Sequence, residues 1–592
     1  MNVLIVLLIA LFLFGLGIKF YSKFISKQIG SDDKLPTPAV SINDGVDYVP
    51  TRTHVLFAHH FATIAGVGPI IGPVMGIVYG FVPVLLWLLI GAIFIGAVHD
   101  YTSIFASVRE KGKSMAQIAG KTLGKPGFIL FIVFTLVMII LVTSAFLGAA
   151  AKSLTSKWPL DKLTLPPDQT LLKTVVEGGV AKGIIGGIAS TSVIIITAFA
   201  PLIGFLIYRR GLKAVYAYIM AFVLCIFSIY VGFHYPVALD PKIWMAIISV
   251  YTFFAAGIPV WMILQPRDFA NVQILYGGML IVGLSIIIGG LGGLSITAPH
   301  FDLKAGSANL GMIWPMMFIV IACGAISGFH ALAGGGTTSK QVKSEKDTRR
   351  IGYYGMILEG ILATMVVLTL ASTLTHQEYL RTVWPDIAAN SNPILAFALG
   401  VGNLVHNAFP FITVALGSVF GILMIEGFIV TTLDSAVRLN RYLFEELWTI
   451  LFSGNVPAIM KKYWFNSGLS VLLMFLMGYS NAFAALWKIF GSANQLLASL
   501  TLMAITVWLY LRGKRIFYTM IPAIFMILTT LASLIYLLFK SYIPQENWIL
   551  IITDSVLLVL SVAVTTLILK TAFRLRAEKR MHGSAHVSTA KG

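Results

Sequence analysis

Two adjacent histidines, His59 and His60, stand within two helical turns of the run Ala65-Gly66-Val67-Gly68-Pro69. Histidine changes charge near neutral pH. Either ring could therefore carry a coupling proton or meet a substrate carboxylate; either could equally be an inward-facing ring satisfied by a neighbouring carbonyl. Three acids share the ambiguity. Asp100 follows His99 near the end of an apolar run, where it could relay protons or pair with Arg109. Glu359 and Glu426 lie deeper in their runs. A buried carboxylate takes up a proton more readily than an exposed one, which is what a proton carrier needs. Glu359 is the strongest of these coupling candidates, beside His60, Asp100 and Glu426.

Further along, Phe329 and His330 precede Gly334, Gly335 and Gly336, and then Thr337, Thr338 and Ser339. Thr337 and Thr338 could ligate a sodium ion or a substrate carboxylate; the same residues could be a glycine helix cap followed by a hydroxylated turn. The segment is not an ATP-binding loop. Gly112-Lys113-Ser114 and Gly120-Lys121-Thr122 have Ser107 and Met115 where the upstream glycine of such a loop is required. No HExxH, CxxC or GxSxG pattern occurs, so a membrane enzyme is disfavoured, and no cofactor is implied.

The elements that must hold these residues are apolar helices. Of 592 residues, 58% are hydrophobic and 11% charged, against about 25% charged in soluble proteins. Mean hydropathy is +0.88. This excludes a soluble enzyme, a nucleic-acid-binding protein and a disordered chain. The formal charge of +18 resides in short loops between apolar runs, where it reports topology. The first run, from Asn2 to Ile18, has no basic leader and reads as a retained first helix. Cys225 and Cys323 both lie in apolar runs and support neither a disulfide nor a thiolate metal site.

Basic clusters recur at Lys19 to Lys27, Arg109 to Lys113, Arg209 to Lys213, Lys340 to Arg350, Arg438 and Arg441, Arg512 to Arg515, and Arg574 to Arg580. All fall on one side if the chain makes an odd number of spans, about 15 to 18 at roughly 20 residues each. That side is cytoplasmic by the positive-inside rule. Two places resist the count. Residues 393–431 are too long for one span and are split by Pro410; residues 433–450, with Asp434, Arg438, Arg441, Glu445 and Glu446, suit an amphipathic helix on the cytoplasmic face.

Proline and glycine at 65–69, then Gly72 and Pro73, unwind the second span. Ala255-Ala256-Gly257-Ile258-Pro259 does the same for the seventh, five spans later. Five is odd, so the two run in opposite directions, an inverted five-plus-five repeat with facing broken helices near the midplane. The competing reading is close helix packing, since Gly68, Gly72, Gly76 and Gly80 recur every fourth residue, as do Gly324 and Gly328. Phe253, Phe254 and Trp261 flank the second break and either line a pocket or pack. The expected substrate-binding set is His59, His60, Gly66, Gly68, Pro69, Phe253, Ala256, Gly257, Pro259 and His330.

The segments HVLFAHHFATIAGVGPIIGP (54–73), GAVHDY (96–101), GIPVWMILQPRDF (257–269), ISGFHALAGGGTTSKQ (326–341), EGILA (359–363), TTLDSAVRLNRY (431–442) and IFGSANQLLA (489–498) resemble the carbon starvation protein A family, in the family's order and over nearly the whole chain. The resemblance implies an all-α polytopic protein of a prokaryotic cytoplasmic membrane. It also implies a LeuT-like five-plus-five core, as in amino acid–polyamine–organocation transporters, with extra peripheral helices. It further implies import of peptides or pyruvate during starvation, coupled to protons. The division expected is a peripheral helix at 1–30, repeats at 54–233 and 243–431, further transmembrane helices at 432–572, and a disordered cytoplasmic tail at 573–592. The partners are then a small-molecule substrate, a coupling proton or sodium ion and the bilayer, with no nucleic acid. The alternatives are a sodium-coupled carboxylate transporter, a channel-like pore, or a starvation sensor.

The loop charges predict the N-terminus outside and the C-terminus in the cytoplasm. A reporter fused after Gly592 should be active only in its cytoplasmic form; periplasmic activity would overturn the topology.

Overall fold

The computed structural model describes residues 1–44, 48–259, 262–387, 390–481 and 483–588. The chain is helical apart from one small sheet. Residues 157–159, 174–177 and 180–184 form three antiparallel strands, the third lying between the other two. Among the described residues, eleven helices are long and apolar enough to cross a membrane, or twelve if Thr53–Ile64 and Gly68–Tyr79, bent by 46°, count as one span. Pro241–Gly257 and Pro393–Ala408 are shorter apolar helices, and Ile313–Val320 with Gly328–Gly336 forms a further broken segment. These shorter pieces account for the higher number expected from the sequence. The protein is an all-α, multi-pass membrane protein.

The first break is where the sequence places it. Thr53–Ile64 ends at Ala65, and the helix restarts at Gly68 with Pro69 in its first turn. Proline has no amide to close an internal bond but suits a first turn, so the chain stops and starts again here.

The partner of this break is not 255–259. Pro241–Gly257 stays helical through Ala255, Ala256 and Gly257, and of the expected stretch only Ile258 and Pro259 are non-helical. The backbone that meets the first break is 321–327. Gly68 abuts Cys323, and a Cβ on Gly72 would lie 2.9 Å from the Val320 carbonyl. The two broken segments are antiparallel. Thr51, before the first, bonds Gln341, after the second (3.0 Å). Tyr79, ending the first, donates to the carbonyl of Gly311, before the second (2.8 Å). The inverted pair of broken helices therefore exists with a different second member. The Gly324 and Gly328 spacing, read as packing, marks it: both glycines are also in close contact with neighbouring helices.

Backbone groups released in hydrocarbon must find partners inside the protein. In the second break, Trp87 Nε1 donates to the Ile321 carbonyl (3.1 Å) and Trp487 Nε1 to that of Val320 (3.3 Å). Gln495 donates to Phe318 O (2.5 Å), and Asn494 Oδ1 accepts from the Phe329 amide (3.0 Å). The IFGSANQ segment is thus the cap of the second break.

Two long helical segments, Met115–Leu154, kinked at Gly124, and Val414–Leu451, pack side by side through the bundle. The second corrects the reading of 433–450 as a surface helix. Val414–Leu451 is one continuous helix of 38 residues, and Asp434 within it is fully buried because Arg267 neutralises it there. Pro410 does interrupt the chain, between Pro393–Ala408 and Val414–Leu451. The last helix, Trp548–Ser588, carries helical backbone into the tail expected to be disordered; Arg574, Ala577, Glu578 and Lys579 are good helix formers.

The contact between breaks predicts a pair of contrasting variants. Gly68→Ala and Gly72→Ala should each lower thermal stability in detergent by about 1–3 kcal/mol through overpacking. Cys323→Gly should restore most of the loss at Gly68, where the Cys323 Cα is 3.8 Å from the added Cβ. It should restore none at Gly72, whose obstacle is backbone. Equal rescue of both would refute the arrangement.

Candidate functional site

The two breaks lie beside a buried polar cluster built from four helices. The Phe81–Arg109 span changes pitch in a π-turn, Ala92–Gly96, and continues as Ala97–Arg109. Such π-turns re-aim side chains and recur at functional positions. Here Gly96 lies against the Ala325 carbonyl, inside the second break, and Gly352 sits on the backbone of Asp100 with a Cβ-to-carbonyl approach of 2.9 Å. Larger residues at either position would hold the helices apart. The approach delivers His99 and Asp100 to His330, in the first turn of Gly328–Gly336, and to Glu359, in Tyr354–Thr373.

His330 is the hub. Its Nδ1 is 2.7 Å from Asp100 Oδ2, and its Nε2 stands 3.2 Å from Glu359 Oε2. The other Asp100 oxygen is 2.7 Å from His99 Nδ1. His60 closes the far side, with its Nδ1 2.8 Å from Thr338 Oγ1. His60, His99, Asp100, His330 and Glu359 are each at most 1% exposed. Two carboxylates thus flank one imidazole out of water, and opposite charge must compensate for lost hydration. His330 Nε2, His60 Nε2 and both Glu359 oxygens make no hydrogen bond of good geometry among the described residues. The His330–Glu359 contact is therefore close in distance but not aligned as a hydrogen bond.

The structure gathers only part of the expected set. His60, Asp100, His330, Glu359 and Thr338 converge; of the first break, Gly68 abuts Cys323, Pro69 lies near Gly324 of the second break, and Gly66 faces Phe146 and Thr432. His59, on the same helix, is accessible to solvent yet enclosed by surrounding protein, and it makes no contact with this network. Thr337 is exposed while Thr338 is buried against His60, so their hydroxyls do not converge as a sodium pair. Ser339 instead joins Ser107 (2.8 Å). Phe253 packs near Gly468, Gly257 lies against Tyr463, Ala256 is buried, and Pro259 is exposed. These four border a different region, since the break they were assigned to is not the one facing Gly68. Trp261 lies outside the described residues.

Glu426 also stands apart, in a second buried cluster that the sequence reading did not assemble. Arg267, 1% exposed, donates through Nη1 to Asp434 Oδ2 (2.7 Å) and to Tyr251 Oη (2.5 Å). Its Nη2 reaches Asp268 (3.1 Å). Its sequence signal is the charged pair Arg267-Asp268 inside an otherwise apolar run.

An antiparallel pair of broken helices, packed against a buried acid–imidazole network in a multi-pass bundle, is architecture suited to carrying a small solute with a proton. The profile of carbon starvation protein CstA matches residues 2–386 and 381–533, and the chain belongs to that family. It is 30% identical to the peptide transporter CstA of Bacillus subtilis (strain 168) over 89% of each chain. It is 28% identical to the pyruvate/proton symporter BtsT of Escherichia coli (strain K12), over 90% of this chain and 81% of that one. Among solved structures, a mutant of the Eremococcus coleocola manganese transporter aligns over 91% of this chain and 99% of its own, with 10% identity and a TM-score of 0.47.

Asp100→Asn removes the anion between His99 and His330 and should lower thermal stability by about 3–5 kcal/mol. Arg350→Ala opens only a half-exposed pair with Asp347 and should cost less than about 1 kcal/mol. Equal losses, read by fluorescence-detected melting, would show that the buried network carries no special charge.

Proposed function

We propose that this protein is a proton-coupled secondary transporter of the cytoplasmic membrane that imports a small carboxylate such as pyruvate, or short peptides, during starvation. The observation that carries the reading is the buried His330 imidazole held between Asp100 and Glu359 directly behind the second break. The names of the family relatives agree with it. Importing an anion against a negative-inside potential costs about 2.3 kcal/mol per charge per 100 mV. One proton taken up with the anion makes the step electroneutral. In this reading His330 and Glu359 hold that proton, and Asp100 keeps the ring oriented. His60 senses the same charge from the first broken helix, where substrate meets the half-helix amides at Gly66, Gly68 and Pro69. The inverted repeats are then centred on 53–79 and 313–336, in place of the expected division at 54–233 and 243–431. The C-terminal helices lie outside them, with the C-terminus cytoplasmic.

The test is uptake of labelled pyruvate and of a labelled dipeptide into proteoliposomes under an imposed proton or sodium gradient. A proton gradient should drive accumulation of at least one of them. Glu359→Gln and His330→Gln should abolish accumulation yet leave substrate exchange, whereas His59→Gln should retain both. Accumulation driven only by sodium would replace the proton with that ion. Flux that never exceeds equilibrium would favour a pore.

A further inference from the structure

The second cluster has a charge arrangement that the coupling site does not use. Arg267 touches Tyr251 from Pro241–Gly257, Asp268 from its own helix, and Asp434 from Val414–Leu451. Asp434 is ion-paired now. Glu426 is 0% exposed; it lies beside Ser153 of Met115–Leu154 and within electrostatic reach of Arg267. Neither of its oxygens makes a hydrogen bond of good geometry among the described residues. Eight residues separate the two acids, so they share one helix face about 12 Å apart along the axis. Nearby, Arg438 Nη2 donates to the Ala255 carbonyl (2.9 Å) and also to that of Ile258, tying the end of Pro241–Gly257 to the same long helix. The C-terminal end of Pro241–Gly257 and the N-terminal end of Leu264–Leu291 are thus tied by two arginines to the interior of Val414–Leu451.

We propose that Arg267 is shared between Asp434 and Glu426, and that its move from one to the other opens this end of the bundle. An unpaired carboxylate in such a place is costly when ionised, so the acid without the arginine holds a proton. In the closed state seen here, Arg267 pairs with Asp434 and the proton is on Glu426. When Arg267 moves to Glu426, that carboxyl gives up its proton and Asp434 takes one. The cluster's net charge and proton count do not change, and the proton-bearing position shifts two turns toward the basic-loop end. Asp268, 24% exposed, stays beside Arg267 in both positions. That this shift serves proton import rests on the transport reading above; the gate itself does not.

The experiment reads the gate without any substrate. Ala256, fully buried beside the Arg438-held end, is replaced by cysteine in a chain with Cys225 and Cys323 changed to serine. Its reaction with a polar maleimide is timed in lipid nanodiscs, where both faces meet the reagent. Asp434→Asn removes the closed-state partner and should raise the rate about tenfold by shifting the equilibrium toward the open state. Glu426→Gln removes the alternative partner and should lower the rate severalfold. Faster labelling in both variants would show a structural staple, and no change in either would show no gate; each overturns the proposal. If Asp434→Asn does not yield folded protein, Asp434→Glu, which keeps the charge, should label within about twofold of the parent, and Glu426→Gln must still slow it; failure of either result overturns the proposal. Opposite effects on labelling, with no proton-driven uptake of any substrate, would keep the gate and reject the transport reading.

Discussion

Everything in this structure depends on breaking two helices inside hydrocarbon and then satisfying the backbone groups that the breaks release. A lipid-exposed break is not tolerated, because no water is present to replace the lost bonds. The chain meets this by turning the two breaks toward each other and sealing the second with side chains from outside it. Trp87, Trp487, Asn494 and Gln495 come from two other spans, yet they complete the hydrogen bonding of 318–329. Glycine then allows contact at backbone distance between the segments. The breaks are therefore a joint product of several helices.

The same constraint governs the charges. An ionisable group inside a membrane segment faces the bundle interior and finds a partner. Here that rule yields two separate networks. One, around His330, unites both broken helices with two other spans and is the seat of the proposed coupling. The other, around Arg267, joins the ends of two helices to the interior of Val414–Leu451. Both leave a carboxyl incompletely satisfied, Glu359 in the first and Glu426 in the second. In a static scaffold such groups would be a pure loss of stability. In a protein that changes state, each is a place where a proton or an arginine can move.

How much was legible from sequence differs element by element, for physical reasons. Pro69 and Pro73 with Gly66, Gly68 and Gly72 act locally, so the first break could be read at its true position. The second break contains no proline between 321 and 327; it is non-helical because distant side chains cap it, and that is not a local property. Pro259 gave 255–259 the same local look, but it lies at a helix end. Asp434 looked like a surface residue because its neutralising partner, Arg267, is far away in sequence.

The amino-acid sequence by itself determined the class of protein, because hydropathy and loop charge act segment by segment. It also determined the family, the first break, and the residue types that can hold a proton in the membrane, with His60, Asp100, His330 and Glu359 among them. Tertiary structure decided which of those residues meet. It joined His330 to Asp100 and Glu359, left His59 outside that network, separated Thr337 from Thr338, and moved Glu426 into a different network. Helix faces and crossing positions set these outcomes, and they depend on packing between segments hundreds of residues apart, which no local pattern encodes.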